Sequence, residues 1–492
     1  MPFVDDVREF LAGRVAFPAV NYALNRREIA GRYRELLVTE HASQEKLREL
    51  QLQKLKPLVR HACETVPFYA RRFKEIGFFP GDIKSLEDFQ RIPPLDRQDV
   101  IHHRLDLVHA NLRDAALAAD QAGNEPGIPP SFARFRKNKL VRNTSTGSTG
   151  APTIFYEDGS TTALNWIHEQ RLKSWYGVAP GAKEARMKGL STAYRAASMK
   201  RSVREFLWNQ LMLPGYFLGD AENEASLRKV RKFRPRVLWG PTPALVSLAQ
   251  YIRRSKQDVS RCTPQLVISW AAPLYEHDKK LLREVFGCPV SNIYSAREVG
   301  HVAMICPHGG VHVNQENYLV EIEDAAASEP RTKTGNILVT PLFETPMPFL
   351  RYRIGDVVEM GAGSCSCGRT LVTLEKILGR MGDMFQTEDG HLIDPNFWCL
   401  AFRDGRPSRD VEKFQVVYKR VDRARFRIVR APSYSPETEA YLRQFLAKNF
   451  PSRMEFEFEY VADIPPQPSG KYPFVINEIE SQKLALVLAD AL

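Results

Sequence analysis

No stretch of this chain stays apolar for the length a bilayer requires, and its start, Met1-Pro2-Phe3-Val4-Asp5-Asp6, has neither a basic n-region nor an apolar h-region. A membrane span and a secretory leader are therefore not expected, and the expected location is cytoplasmic. Cysteine is scarce. The seven present are odd in number and mostly scattered, which argues against a disulfide framework and for a reducing compartment. No lysine or arginine block dominates, although 69 bases against 58 acids leave a net charge of +11. That surplus favours anionic partners such as nucleotides, while nucleic acid finds no concentrated patch and is not expected as a partner. A long internal repeat is also missing. What remains is ordinary for a globular protein: 492 residues, 43% hydrophobic and 26% charged, enough for two or more domains.

The most unusual stretch present is Thr144-Ser145-Thr146-Gly147-Ser148-Thr149-Gly150-Ala151-Pro152. Hydroxyl side chains compete for backbone partners and glycine weakens helix and strand alike, so the run reads as an exposed loop. Its hydroxyls, backbone N–H groups and two glycines suit the wrapping of phosphate oxygens. A Ser/Thr/Gly linker is the alternative, against which the strand-like Thr153-Ile154-Phe155-Tyr156 follows at once. The loop lacks the Gly-Lys-Ser/Thr ending of a Walker A motif, so ordinary P-loop NTPase chemistry is not expected.

Ahead of the loop, Glu45 to about Gly77 has helical spacing, with Pro57 expected to break or start a helix. Val66-Pro67-Phe68-Tyr69 reads as a turn and Ile83 to Phe89 as a short helix; this lead-in carries no functional signal of its own. Beyond the loop, a helix over Ala163 to Tyr176 precedes alternating strands and helices: strand 236–239, helix 244–253, strand 265–269, helix 277–286 and strand 290–294. Such alternation implies parallel strands, with ligands bound beyond their carboxyl ends. Trp239, Trp270, Ala271, Ala272 and Tyr294 thereby become pocket candidates, with burial in the core as the alternative for both tryptophans. The last hundred residues read as a small α+β domain, with Ser435-Pro436 opening a helix and Met454 to Tyr460 alternating apolar and acidic residues. The expected boundaries are 1–378 for the large domain, a hinge at 379–383 and 384–492 for the small one.

Four separated stretches resemble the adenylate-forming superfamily: Ser145 to Pro152 as its phosphate loop, Tyr294-Ser295-Ala296-Arg297-Glu298, Tyr352-Arg353-Ile354-Gly355-Asp356, and Pro468-Ser469-Gly470-Lys471. Val66-Pro67-Phe68-Tyr69, the run from Cys306 to Asn314, Pro346 to Tyr352, and Cys365-Ser366-Cys367-Gly368-Arg369 are similar to the phenylacetate–CoA ligase group, which includes CapK-like proteins. The resemblance implies an α/β fold: a large N-terminal adenylate-forming domain with parallel-rich sheets and a small mobile α+β C-terminal domain. It implies an acid–thiol ligase using ATP, Mg²⁺ and CoA on a small carboxylic acid. The alternatives are an adenylating enzyme serving a carrier protein or an amine in polysaccharide or secondary metabolism, and an inactive nucleotide-binding module. A homodimer is admitted.

By the same resemblance, Ser145, Thr146, Gly147, Ser148, Thr149 and Gly150 hold phosphates, and Thr149 acts with Glu298 and Lys471 in catalysis. Glu298 ligates Mg²⁺, Tyr294 lies on adenine, Asp356 accepts from the ribose hydroxyls and Arg380 contacts the nucleotide. The chain departs from the pattern at Ala151, Ser295, Arg297 and Gly382, and above all at Trp270-Ala271-Ala272-Pro273, where the family commonly has Gly-Ala/Gly-Glu-Pro. Separately, Cys306, Cys365 and Cys367 with either His312 or His308 make up the four ligands that tetrahedral zinc takes, free buried cysteines being the alternative.

Overall fold

The computed structural model describes residues 27–121, 140–145, 153–188, 205–206, 208–215, 220–329, 332–361, 364–380, 385–386, 392–393, 398, 407–420, 422–449, 454–465 and 475–479. The chain divides into two units, Met1–Ile354 with Glu359–Lys376, and Gly355–Val358 with Ile377–Leu492. Among the described residues no helix is long and apolar enough to cross a membrane.

The first unit opens with helices α1 (Arg27–Thr39), α2 (Gln44–Thr65), α3 (Pro67–Glu75), α4 (Arg97–His102) and α5 (Arg113–Gln121). Ser43 caps α2 by accepting from the Lys46 N–H, and Leu47, Leu55, Leu58, Val59 and Ala62 form one buried face. That face runs through Pro57, so the expected break is absent: packing along the helix offsets a proline penalty of about 3 kcal/mol. Val66 to Tyr69 does not simply turn the chain either. Pro67 is the first residue of α3, where its missing N–H costs nothing. The helix expected over Ile83 to Phe89 is replaced by 3₁₀ turns at Pro80–Asp82 and Asp88–Arg91, because the Asp88 carboxylate accepts from the Lys84 and Ser85 N–H groups at 2.9 and 2.8 Å.

Strands β1 (Val141–Ser145) and β2 (Thr153–Glu157) form an antiparallel pair with Ser145 opposite Thr153. Thr144 and Ser145 are therefore strand rather than loop. After α6 (Gly159–Trp175) the chain alternates: β3 (Glu184–Lys188), β4 (Gln210–Pro214), α7 (Asp220–Phe233), β5 (Val237–Pro241), α8 (Thr242–Arg254), β6 (Leu266–Trp270), α9 (Glu276–Phe286) and β7 (Val290–Ala296). These strands are parallel in the order β4-β3-β5-β6-β7. Leu266, Val267 and Ile268 are wholly buried, as befits a parallel sheet covered on both faces.

Strands β8 (Gly300–Ile305), β9 (Val311–Val313), β10 (Tyr318–Glu329), β11 (Thr332–Pro341), β12 (Tyr352–Met360) and β13 (Thr373–Arg380) complete an eleven-stranded sheet in the order β10-β11-β12-β13-β9-β8-β7-β6-β5-β3-β4. The pairs β7–β8, β8–β9, β9–β13 and β10–β11 are antiparallel. The sheet thus changes character at β7.

The second unit contains β14 (Phe385–Gln386), β15 (Leu392–Ile393), α10 (Pro407–Asp410), β16 (Val411–Arg420), β17 (Arg423–Arg430), α11 (Pro436–Asn449), β18 (Glu455–Tyr460) and β19 (Val475–Asn477). Its four-stranded sheet runs β18-β17-β16-β19, with both outer strands parallel to their neighbours. Trp398, Tyr418, Phe426, Leu442 and Leu446 form its core. On β18 the alternation expected from the sequence is present: Phe456 and Phe458 pack on that core, while Glu455 and Glu457 pair with Arg423 and Arg425. A large α/β unit and a small α+β unit make up the expected fold class.

The lead-in has a task that its own residues do not announce. The buried Tyr69 hydroxyl donates to Pro348 O and accepts from Leu350 N, both at 3.0 Å. Beside it Leu95 N donates to Arg351 O and Arg353 N to Leu95 O, while Arg351 reaches the Glu321 carboxylate and Arg353 the Glu323 carboxylate. The start of β12 is therefore held by α3 and by the segment before α4. Tyr69→Phe keeps the ring and removes both hydrogen bonds, so it should lower the unfolding free energy by about 1–3 kcal/mol. Urea denaturation reads this, and an unchanged midpoint contradicts it.

Candidate active site and metal centre

At the carboxyl end of β7 the chain reverses into β8 through Arg297, Glu298 and Val299. Three groups fix this reversal. Asn165 Oδ1 on α6 accepts from His301 N at 3.0 Å, the Tyr318 hydroxyl on β10 donates to Val299 O at 2.8 Å, and Val299 N bonds Ala296 O at 3.3 Å. Gly300 has φ +91, and a Cβ there would strike Asn165 Oδ1 and come within 3.0 Å of the Tyr318 oxygen. Glycine is required both for its conformation and for the closeness of the strap. Glu298, partly exposed, is presented from this turn, with the Tyr352 hydroxyl 3.5 Å from its Oε1.

The register also shifts here. Tyr294 faces Ala303 but Ser295 faces His301, so Val302 is an extra residue on β8. Such a bulge re-aims the next side chain. His301 turns to the face of the sheet that α6 covers, with Nε2 3.6 Å from Glu169 Oε1. Glu169 belongs to a buried charge cluster: Arg186 Nη2 lies 2.6 Å from Glu169, Arg186 Nε lies 2.7 Å from Glu184, and Lys173 also pairs with Glu184. Burial is the largest influence and raises both carboxyls; Arg186 together with His301 at Glu169, and Arg186 together with Lys173 at Glu184, outweighs it and holds both below the usual range. The Arg186 guanidinium also lies over the Trp239 ring, 4.5 Å from its centroid.

Trp239 is only 3% exposed and packs in the cluster that contains Ile268, Ile293 and Met304, against which Trp270 also rests. Both tryptophans line the α6 side of the strand ends. After Trp270 the chain leaves β6 through Ala271, which is exposed and has φ +68, unusual for a residue with a Cβ. Thr242 Oγ1 secures that exit by donating to Ala272 O at 3.1 Å.

A second cluster lies where β8 ends. Cys306, His312, Cys365 and Cys367 bring all four ligand atoms within 4.8 Å of one another. Cys306 Sγ is 3.7 Å from Cys365 Sγ, and Cys367 Sγ is 3.2 Å from His312 Nε2. A tetrahedral zinc with bonds of about 2.0–2.3 Å sets neighbouring ligands roughly 3.3–3.8 Å apart, so the set fits. His312 Nδ1 faces Leu371 O at 3.2 Å, which places the proton on Nδ1 and leaves Nε2 as donor to a metal. His308 is exposed and its Nδ1 meets Ser366 Oγ at 3.1 Å instead. Gly310 is again a close approach, since a Cβ there would come 2.7 Å from Cys365 Sγ.

Of the residues singled out in the sequence, Tyr294, Glu298, Trp239, Trp270, Ala271 and Ala272 lie at the carboxyl ends of β5, β6 and β7, and Asp356 lies on β12. Ser145 ends β1 and Arg380 ends β13. Thr146, Gly147, Ser148, Thr149, Gly150 and Lys471, with hinge residues Met381, Gly382 and Asp383, fall outside the described residues. Asn165, Glu169, Arg186, His301 and Tyr318 were not anticipated. Only Gly300, two residues beyond Glu298, offered a local sign of a tight turn.

Comparison with known proteins adds relatives. The CapK C-terminal domain family matches residues 385–478. Protein CapK of Staphylococcus aureus is 27% identical over 357 residues, covering 70% of this chain and 76% of that protein. The phenylacetate–coenzyme A ligase of Thermus thermophilus is 27% identical over 353 residues, covering 70% and 73%. Among solved structures, 2-hydroxyisobutyryl-CoA ligase in its postadenylation state with 2-HIB-AMP superposes with a TM-score of 0.66 over 92% of this chain and 94% of that one, at 20% identity.

The strap on the β7–β8 turn makes a direct forecast. Gly300→Ala introduces both a collision and an unfavourable φ, so thermal unfolding should show a loss of about 1–3 kcal/mol. A wild-type melting temperature would show that the turn has room the geometry denies.

Proposed function

We propose that this chain, a relative of CapK and of the phenylacetate–CoA ligases with the fold of the adenylate-forming ligases, activates a small carboxylic acid with ATP and passes the acyl group to the thiol of CoA. The observation that carries this reading is Glu298 held on a strapped turn at the carboxyl edge of the parallel strands, where α/β sheets bind ligands. An acid oxygen attacks the α-phosphorus, pyrophosphate leaves, the thiol sulfur then attacks the acyl carbon and AMP departs.

Each residue has a stated task in this reading. Thr146 to Gly150 grip the departing phosphates, Tyr294 lies on adenine, Asp356 accepts from the ribose and Lys471 neutralises charge at the α-phosphate. Glu298 would hold Mg²⁺, a hard cation that takes carboxylate and phosphate oxygen and offsets phosphate charge. The Tyr352 hydroxyl limits where that carboxylate swings. A second reading, transfer to a carrier-protein thiol or an amine, is compatible with the likeness to CapK, whose name specifies no CoA.

Cys306, His312, Cys365 and Cys367 are assigned to a structural Zn²⁺. Four protein ligands would leave no open position for catalysis, so a bound ion would tie the end of β8 to the Cys365–Cys367 loop.

Pyrophosphate exchange into ATP across a panel of aryl and alkyl acids tests the main reading, and exchange that depends on the acid is expected. Glu298→Gln and Lys471→Ala should each lower it by about 10²–10³-fold without moving the melting temperature. Exchange that no acid stimulates overturns the assignment. For the metal, elemental analysis should find about one zinc per chain, kept in His308→Ala and lost in His312→Ala; a zinc-free preparation of folded protein removes it.

A further inference from the structure

The β1–β2 hairpin stands apart from the eleven-stranded sheet. Two strands alone are marginally stable in water, so the place of this pair is set by what packs on it. α5 lies against β1 and α4 against β2, while Thr153, Phe155 and Tyr156 of β2 are buried. Ser145 and Thr153 form the last cross-strand pair, and the stretch between them is the one given the phosphates above. A group that fixes the hairpin therefore fixes both ends of that stretch.

One carboxylate reaches both strands. Arg142 on β1 and Tyr156 on β2 stand directly opposite each other, so their side chains share a face of the hairpin. Both meet Asp120, in the last turn of α5: Arg142 Nε lies 3.2 Å from Oδ1, and the Tyr156 hydroxyl donates to Oδ2 at 2.8 Å. Arg104, which follows α4, closes the clamp. Its Nη1 lies 2.8 and 2.7 Å from the two carboxylate oxygens and also donates to the Tyr156 oxygen. The negative end of a helix repels a carboxylate, and the two guanidiniums offset that repulsion. Burial, and after it the Asp120 carboxylate, push the Tyr156 phenol up, so it stays a donor. Asp120, Arg104 and Arg142 are half-buried, and salt screens them less than it would a surface pair.

Resting on the phosphate-gripping task given to Thr146 to Gly150, we propose that Asp120 is a positioning residue for the terminal phosphates of ATP. It acts through the strands: the clamped pair lies three residues, or about 10 Å, from Ser145 and Thr153, and any rocking of the hairpin about that pair carries both ends of the gripping stretch with it. The adenine is assigned to Tyr294 on β7, an element outside the clamp. Loss of the clamp should therefore weaken the hold on the β- and γ-phosphates and leave the hold on AMP as it was.

Calorimetry on the full chain separates the two. AMP is compared with Mg²⁺ and α,β-methylene-ATP, whose carbon bridge blocks acyl-adenylate formation. Asp120→Ala should weaken binding of the triphosphate analogue about tenfold or more and leave the Kd of AMP unchanged, and Asp120→Glu, which keeps a carboxylate, should recover part of the loss. Tyr156→Phe and Arg142→Gln each remove one arm of the clamp, so they give the same selective loss in smaller measure should Asp120→Ala fail to fold. Triphosphate binding that is unchanged in these variants, or a loss shared equally by AMP, overturns the positioning role while the acid-activating reading stands. Wild-type protein that binds neither nucleotide removes that reading, and this role with it.

Discussion

The reversal from β7 to β8 is the constraint on which the rest of the site depends. Asn165 and Tyr318 bind its backbone from opposite elements, and Gly300 allows them to come close enough to do so. Two consequences follow from one turn. Glu298 is presented at the strand ends, and the extra residue Val302 swings His301 beneath α6. A looser turn would leave both to thermal motion, because among the described residues Glu298 meets the Tyr352 hydroxyl only at 3.5 Å and the His301 ring meets Glu169 only at 3.6 Å.

Around this turn the interior is unusually ionic. Arg186 neutralises Glu169 and Glu184 while its guanidinium lies on Trp239, and Lys173 completes the balance. Burying such charges contributes little net stability compared with an apolar core, since desolvation offsets most of the attraction. Its consequence here is geometric. Glu169 is held below the usual carboxylate range and faces one edge of His301 at 3.6 Å. The Tyr69 contacts to Pro348 and Leu350 hold the start of β12 in a comparable way. At the far end of β8, the three cysteines and His312 converge on one point.

Much of this architecture was legible in the sequence, for local reasons. Buried strands such as Leu266-Val267-Ile268 and the helices between them announce themselves by hydrophobic spacing, and β18 by its alternation of phenylalanine with glutamate. The cysteine cluster was legible from residue type, although Cys306 and Cys365 stand far apart in the chain; choosing His312 over His308 needed the burial that only the fold supplies. What was hidden depends on distant partners. Tyr69 carries no sign that its hydroxyl meets Leu350, and nothing local to Glu184 and Arg186 shows that they are buried beside α6. Pro57 and Pro67 misled because proline's penalty depends on position and packing, neither of which a short window contains.

The central claim is that a carboxylate oxygen becomes bonded to the α-phosphorus of ATP before any thiol reacts. Isotope transfer tests it most directly. With an acid labelled by ¹⁸O in its carboxyl group, ATP and CoA, mass spectrometry of the nucleotide product should find AMP carrying one ¹⁸O from the acid, alongside unlabelled pyrophosphate. Unlabelled AMP, or ADP as the product, would contradict the account.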